Sequence, residues 1–334
     1  MTATPPQLLF VKSRKASFIE LDQQLLAERY AVSELYQPGH FSNPLKACLA
    51  VWRADLVVGW WASWHTFIPF TFAALIGRPS LLIIGGFDTA AEREFGYGYQ
   101  LGGIRKYLSR WIMRRATRLM TNSEYSRREI ERNIGFPPER VELVYHGVPD
   151  TVNCFERYPK YQLALSVGIV DGTNLVRKGL RAFVEAAAAL PEVEFVLAGK
   201  ASPTAERELR SLAGPNVRLA GWVSDEELEE LFSRAAVYVQ ASRHEGFGVS
   251  LAEAMLHECI PVATTAGALP EVVGDTGVIL EDGTPERVAA GVITALRQAE
   301  DPAARAAARE RVVTNFSVEG RRSGLYRLID ALLS

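Results

Sequence analysis

The chain has 334 residues, 48% hydrophobic and 23% charged; at roughly 150 residues per domain this excludes one small domain or a mainly disordered chain and predicts two domains. The net charge of −2, from 37 basic and 39 acidic side chains, argues against a nucleic-acid coat, yet residues 1–150 carry +4 and the remainder −6, so the halves are expected to face different partners. Cys48, Cys154 and Cys259 lack CxxC spacing, which predicts neither a disulfide framework nor a zinc finger and fits a reducing cytosol.

The first residues, MTATPPQLLFVKSRK, place no basic stretch before an apolar one, and no uncharged apolar run reaches ~18 residues. The expectation is a cytoplasmic protein, at most peripheral at the inner membrane face. In chain order, Gln7–Val11, Leu56–Trp60, Leu81–Ile84, Leu119–Thr121 and Val141–Tyr145 read as buried strands, being short, apolar and bounded by turn residues. Helical stretches lie between them at Ser17–Arg29, Ile104–Arg118 and Ser126–Asn133. The second half repeats the rhythm. Its strands are Leu163–Val167, Glu194–Leu197, Val217–Ala220, Val237–Gln240, Ile260–Ala263 and Val278–Leu280. Its helices are Leu180–Ala189, Thr204–Leu212, Ser224–Ala235, Val249–Leu256, Pro285–Glu300 and Ala303–Val313. Such alternation predicts an α/β protein with two Rossmann-like parallel-sheet domains, and a cleft between them is a natural site. The polar stretch Pro149–Tyr161 is read as the linker, with domains at 1–155 and 156–315. Ligands in such sheets bind beyond the carboxyl ends of the strands.

One such end carries the most chemistry. Ala241–Met255, ASRHEGFGVSLAEAM, follows the strand Val237–Gln240. Glu245 enters a glycine-rich turn, Gly246-Phe247-Gly248, and a helix opens near Val249 with Glu253 in its first turns. The glycines let backbone approach a ligand, and the leading N–H groups of the helix favour an anion such as a diphosphate. Carboxylates accept hydrogen bonds from sugar hydroxyls, so Glu245 and Glu253 fit hydroxyl groups on either side of that phosphate. From spacing alone the segment reads equally as a strand–turn–helix with two solvated glutamates.

The two glutamates seven residues apart within EGFGVSLAEAM resemble the signature of family 4 retaining glycosyltransferases (the glycogen-synthase-like group 1) of the GT-B fold. Val167–Leu180, Glu194–Gly199, Val217–Leu228 and Gly267–Gly277 resemble further family segments in the right order, and Phe316–Leu333 resembles the terminal helix (316–334) that crosses back onto the first domain. The resemblance implies that Lys178 contacts the donor diphosphate with Arg177 as a second cation, near Gly168. It implies that Glu253 binds ribose, that Glu245 binds the hexose, and that Gly248 and Val249 offer N–H groups beside Phe247. Trp222 and Val223 would flank the base; Trp222 reads equally as a core aromatic. Where the family has an arginine after the glycine of the phosphate loop, this chain has Ile169, and its lysine stands farther on.

The first half matches less. Ser13-Arg14-Lys15 replaces a glycine-rich loop, and Arg14 is placed on the acceptor side. His65 follows a strong strand and is a candidate for the same side, or a histidine packed among aromatics. GGFDTAAEREFGYG resembles a GGYD-type variant of some family members, so Asp88 ranks above His65 for touching an acceptor hydroxyl or the transferred sugar, with Gly86 letting backbone approach. Arg105–Arg118 holds six basic residues and no acidic one, interleaved with Tyr107, Trp111, Ile112 and Met113. That pattern fits a helix lying on anionic lipid, or an ordinary surface helix with an apolar core face.

The expectation is a hexosyltransferase (EC 2.4.-.-) that uses a nucleotide diphosphate sugar, UDP- or GDP-linked, and a glycan, lipid or small-molecule acceptor. Neither a DxD pair nor a metal-spaced cluster is found, so no metal and no cofactor beyond the donor is expected. The alternatives are a sugar-nucleotide epimerase on the same fold, which needs acid–base residues around the hexose, and a nucleotide-sugar-binding protein without turnover, which would hold donor and release no product. An NAD oxidoreductase is disfavoured because no GxGxxG follows the first strand.

Overall fold

The structure is a computed structural model describing residues 5–39, 43–152 and 160–334. Cys154, the boundary at 155/156 and most of the expected linker lie outside the described residues. The chain forms two compact units, 1–147 with 318–334, and 148–317.

The first unit runs β1 (Gln7–Lys12), α1 (Ser17–Ala27), β2 (Ala31–Tyr36), α2 (Pro44–Arg53), β3 (Leu56–Trp60), α3 (Trp64–Leu75), β4 (Ser80–Ile84), α4 (Gly103–Arg115), β5 (Arg118–Thr121), α5 (Glu124–Ile134) and β6 (Val141–Leu143). Its six parallel strands lie in the order β2-β1-β3-β4-β5-β6. Strands β3 and β4 are buried along their whole length, as a parallel sheet covered on both faces requires. Ala47 and Val51 of α2, Phe70 and Ala73 of α3, and Ile112 and Met113 of α4 seal one face of the sheet. Ile19 and Leu25 of α1 seal the other.

The second unit runs β7 (Tyr161–Val167), α6 (Gly172–Arg177), α7 (Leu180–Ala186), β8 (Glu194–Ala198), α8 (Pro203–Leu212), β9 (Val217–Gly221), α9 (Asp225–Arg234), β10 (Ala235–Gln240), α10 (Val249–Leu256), β11 (Ile260–Thr264), α11 (Leu269–Val273), β12 (Val278–Leu280), α12 (Pro285–Ala299) and α13 (Pro302–Asn315). Its parallel strands lie in the order β12-β11-β10-β7-β8-β9. Helices α7, α8 and α12 bury Phe183, Leu209 and Val292 against one face. Helix α9 opens on a capping box: the Ser224 hydroxyl accepts from Glu227 N at 3.2 Å and the Glu227 carboxylate from Ser224 N at 2.8 Å.

Helix α14 (Val318–Leu333) belongs to the first unit, where Leu325, Leu328 and Ile329 join the core over β3. A buried ion pair anchors it. The Arg321 guanidinium donates to both Asp22 carboxylate oxygens, at 2.8 and 2.6 Å, and also to Asn122 Oδ1 and the Val144 carbonyl. Trp60 Nε1 donates to the same Asp22 carboxylate at 3.1 Å.

Each expected strand is present. Among the elements that the sequence reading lacks, three have a plain local reason. Strand β2 is an edge strand in which only Leu35 is buried, so it has neither an apolar run nor clean alternation. Helix α2 starts at Pro44, with the Asn43 side chain accepting from Lys46 N. Helix α6 lies where the segment after β7 reads as a loop; it forms because Asp171 Oδ1 accepts from Asn174 N at 2.8 Å, a cap over one short turn.

Candidate functional site

The strand order of the second sheet reverses between β7 and β10, which are paired neighbours. Chains leaving two such strands depart in opposite directions and open a crevice beyond their carboxyl ends. The segment after β7 brings Gly168, Arg177 and Lys178; the segment after β10 brings Glu245 to Val249. The two segments are tied together. Arg243 N donates to the Arg177 carbonyl at 2.7 Å, and Arg177 Nη1 to the His244 carbonyl at 3.1 Å.

Lys178 and Glu245 meet here, with Nζ 3.8 Å from Oε2 and side chains 21% and 16% exposed. Gly168 makes room: a Cβ there would lie 3.1 Å from the Lys178 Cδ. Gln240, the last residue of β10, donates from Nε2 to the same Glu245 oxygen at 2.7 Å. Burial alone would raise the Glu245 carboxyl, but Lys178, Arg177, His244 and the Gln240 amide together hold it below the usual carboxylate range. The loop before α11 supports it from behind. Ala268 N donates to the Glu245 carbonyl at 2.9 Å, and Gly267, at φ +66°, lies so close that a Cβ would stand 2.1 Å from that oxygen. Only glycine satisfies both the left-handed backbone and the contact.

Helix α10 starts directly after this turn. Gly248, at φ +98°, is its N-cap and offers no capping side chain, so the leading N–H groups at Val249 lack a partner within the helix. They and the positive end of the helix dipole follow Glu245 across the three-residue turn, a setting that favours an anion. Phe247 turns inward, 3% exposed, with its ring edge-on to Phe316 at 5.2 Å; it shapes the turn instead of presenting a face to a ligand. Glu253 sits half-buried and has no hydrogen-bond or ion-pair partner among the described residues. Burial, with the Asp225 charge adding, pushes its carboxyl up to about 7. Trp222 stands 75% exposed after Gly221, next to Val223, and is not a core aromatic.

Arg177 differs from Lys178. It is 8% exposed, and its Nε and Nη2 donate to Asn174 Oδ1 at 3.1 and 2.8 Å while Nη1 holds the His244 carbonyl. Its fork braces the Glu245 turn, which corrects the expectation of a second cation held out toward phosphate. Gln240 was missed in the sequence; the signal was a polar amide closing the otherwise apolar strand AAVYVQ.

The acceptor-side candidates all lie in the first unit. His65 is in the first turn of α3, 3% exposed, with Nε2 2.7 Å from the Trp60 carbonyl. Burial, only partly offset by that bond, pulls it down to about 4. It is the packed histidine and not a loop residue facing a ligand, because β3 runs almost directly into α3. Asp88 is 1% exposed and accepts from Ala62 N at 3.0 Å, Gly85 N at 3.2 Å and Gly86 N at 3.1 Å. Its carboxylate organises the turn after β4, and burial opposed by these N–H groups takes it up to about 6. At 1% exposure, with both oxygens already accepting from backbone N–H groups, Asp88 holds the turn together and is not open to an acceptor hydroxyl in this structure. Gly86 sits in that turn at φ +102°. Arg14 is exposed, with its guanidinium 4.6 Å over the Trp61 ring, where the strand order of this sheet reverses between β1 and β3.

Comparison with known proteins finds relatives for both halves of the chain. The family model "Glycosyltransferase Family 4" matches residues 27–152, and "Glycosyl transferases group 1" matches 164–298. The chain is 29% identical over 198 residues to O-antigen chain mannosyltransferase B of Escherichia coli, covering 54% of this chain and 51% of that protein. It is 31% identical over 183 residues to the MMP alpha-(1->4)-mannosyltransferase of Mycolicibacterium hassiacum, covering 53% and 44%. The chain thus matches about half the length of these curated relatives. Among solved structures, the Anabaena protein HepE in complex with UDP and glucose superposes with a TM-score of 0.78 at 17% identity, covering 98% of this chain and all of that one. With matching models over both halves and the two parallel sheets of the GT-B architecture, the chain belongs to the group 1 glycosyltransferases, family 4.

Proposed function

We propose that the protein is a hexosyltransferase that moves a sugar from a nucleotide diphosphate sugar, UDP- or GDP-linked, to an acceptor hydroxyl, with retention of configuration and without a metal. The observation that carries the reading is the grouping, on one crevice of the second unit, of a cation, an open helix start and two differently tuned carboxylates: Lys178, the α10 N-terminus, Glu245 and Glu253. The Lys178 ammonium and the N–H groups at Val249 compensate the charge that develops on the departing diphosphate, a role for preorganised donors. Glu245, held ionised, accepts from hexose hydroxyls, and Glu253 from the ribose diol. Trp222 and Val223 flank the base. The departing phosphate oxygen takes the acceptor proton, so no side-chain base is needed. Mannosyl donors and a glycan acceptor accord with the names of the matched relatives. A lipid-linked acceptor reached by peripheral membrane contact through 105–118 is part of the same proposal. Among the described residues no helix is long and apolar enough to cross a membrane.

Thermal-shift titration with UDP-, GDP- and ADP-sugars identifies the donor, and product analysis on the best one reads the anomer. Lys178→Ala and Glu245→Gln are each expected to lower transfer at least ~100-fold with unchanged circular dichroism. Near-normal turnover in both variants would overturn the assignment, and donor binding without product would replace transfer by binding alone.

A further inference from the structure

Two helices over one face of the first sheet carry outer rows of apolar side chains that core packing does not use. In α2, Ala47 and Val51 face the sheet. On the opposite side Leu45, Leu49 and Trp52, spaced i, i+4 and i+7, are 83%, 49% and 64% exposed. In α4, Leu108, Ile112 and Met113 face the sheet, while Ile104, Tyr107 and Trp111 form a matching outer row, 67%, 75% and 42% exposed. Helix α3 packs against both and adds an exposed Leu75. The Trp111 indole N–H donates to Thr71 Oγ1 of α3 at 3.1 Å, which ties the α4 row into the layer. Seven of the fifteen large apolar side chains exposed among the described residues stand on these three helices. Such clustering is unusual for a surface that faces only water.

The charge on the same layer is one-sided. None of the three helices contains an Asp or Glu. Lys46, Arg53, Arg105, Lys106 and Arg114 form no ion pair among the described residues, and the Arg115 guanidinium lies over the Trp111 ring. A soluble polyanion would engage these cations and leave the apolar rows in water. A second copy of the chain would cover the rows but set like charges against each other. An anionic lipid surface satisfies both, taking apolar and aromatic side chains at the headgroup–acyl boundary and cations on its phosphates.

We propose that the outer face of α2, α3 and α4 is a docking surface for an anionic phospholipid bilayer. Its second row, on α2, doubles the contact that residues 105–118 would make alone, and a two-row face fixes the tilt of the first unit on the membrane where one row permits rolling. The inference builds on the membrane contact proposed above for residues 105–118 and uses the first unit only, so its failure leaves the donor reading untouched, and failure of the donor reading leaves vesicle binding untouched.

The test is flotation of the full chain, without donor, on vesicles of phosphatidylglycerol with phosphatidylcholine and on phosphatidylcholine alone. Binding is expected on the anionic vesicles and about tenfold weaker on the neutral ones, with loss at high salt. Leu49→Ser with Trp52→Ser, and separately Arg105→Glu with Lys106→Glu, should each weaken it about tenfold while leaving thermal unfolding unchanged. Absence of binding at low salt overturns the proposal. An α2 variant that binds as wild type overturns the two-row face. Loss of self-association by the α2 variant in sedimentation, with its vesicle binding intact, assigns the face to a second copy instead; heparin binding at low salt by a chain that does not float on the anionic vesicles assigns it to a soluble polyanion.

Discussion

The Glu253 carboxyl offers a test with a calculable size. It is half-buried in α10, feels the Asp225 charge with no compensating cation among the described residues, and is pushed up to about 7 from an ordinary 4.5. Between those two values the folded chain keeps a proton that the unfolded chain has released. The free energy of unfolding therefore falls as pH rises from 4.5 to about 7 and is flat with respect to this group beyond. The gap is worth roughly 3 kcal/mol. Glu253→Gln removes the titration, so the variant should match wild type near pH 4.5 and exceed it by as much as about 3 kcal/mol at pH 8. Calorimetric unfolding of both proteins across that range reads the difference directly, because every other titrating group cancels. A difference that does not change with pH would refute the reasoning. The same value predicts ligand behaviour: if the ionised carboxylate accepts from a ribose diol, the ionised fraction, and with it affinity for a nucleotide sugar, rises about tenfold between pH 6 and 8.

Arg321→Leu leaves Asp22 buried without its partner and should cost about 3–5 kcal/mol in urea unfolding, whereas Arg321→Leu combined with Asp22→Leu should cost less than the sum of the two single changes; a loss under about 1 kcal/mol for the single variant would contradict the buried pair. Gly267→Ala drives a Cβ into the Glu245 carbonyl and forces a left-handed alanine, so nucleotide-sugar affinity should fall along with stability, by at least about 1–2 kcal/mol from the backbone alone. Trp222→Ala should leave the melting temperature unchanged, since the ring is 75% exposed, and weaken nucleotide-sugar binding about tenfold in calorimetric titration; unchanged binding would remove Trp222 from the base site.

Buried parallel strands were legible because each is a short apolar run with turn residues on both sides, as in Leu81–Ile84 and Val237–Gln240. Strand β2 was not, because an edge strand buries one residue and reads as a loop. Glu245 was legible from its glycines: Gly248 at positive φ and the helix start behind it follow from local chemistry. Arg177 and Lys178 are adjacent cations that the sequence leaves interchangeable, and only the end of α6 decides that Arg177 points into the Glu245 turn while Lys178 reaches its carboxylate. His65 and Asp88 sat correctly beyond strand ends, but no local pattern reveals that backbone groups of Trp60, Ala62 and Gly85 already engage them. Polar residues next to tight turns are as often used by the turn itself as by a ligand.

The first unit is assembled from two stretches separated by the whole of the second. During synthesis, residues 148–317 are made before α14 exists, so the second unit has all of its own chain while the first still lacks a helix. Until α14 arrives, Asp22 has the Trp60 Nε1 donor but not the guanidinium, and the surface meant for Leu325, Leu328 and Ile329 stays open. The order of completion is therefore reversed relative to the order of translation. The N-terminal half, first to emerge, is the last to be sealed.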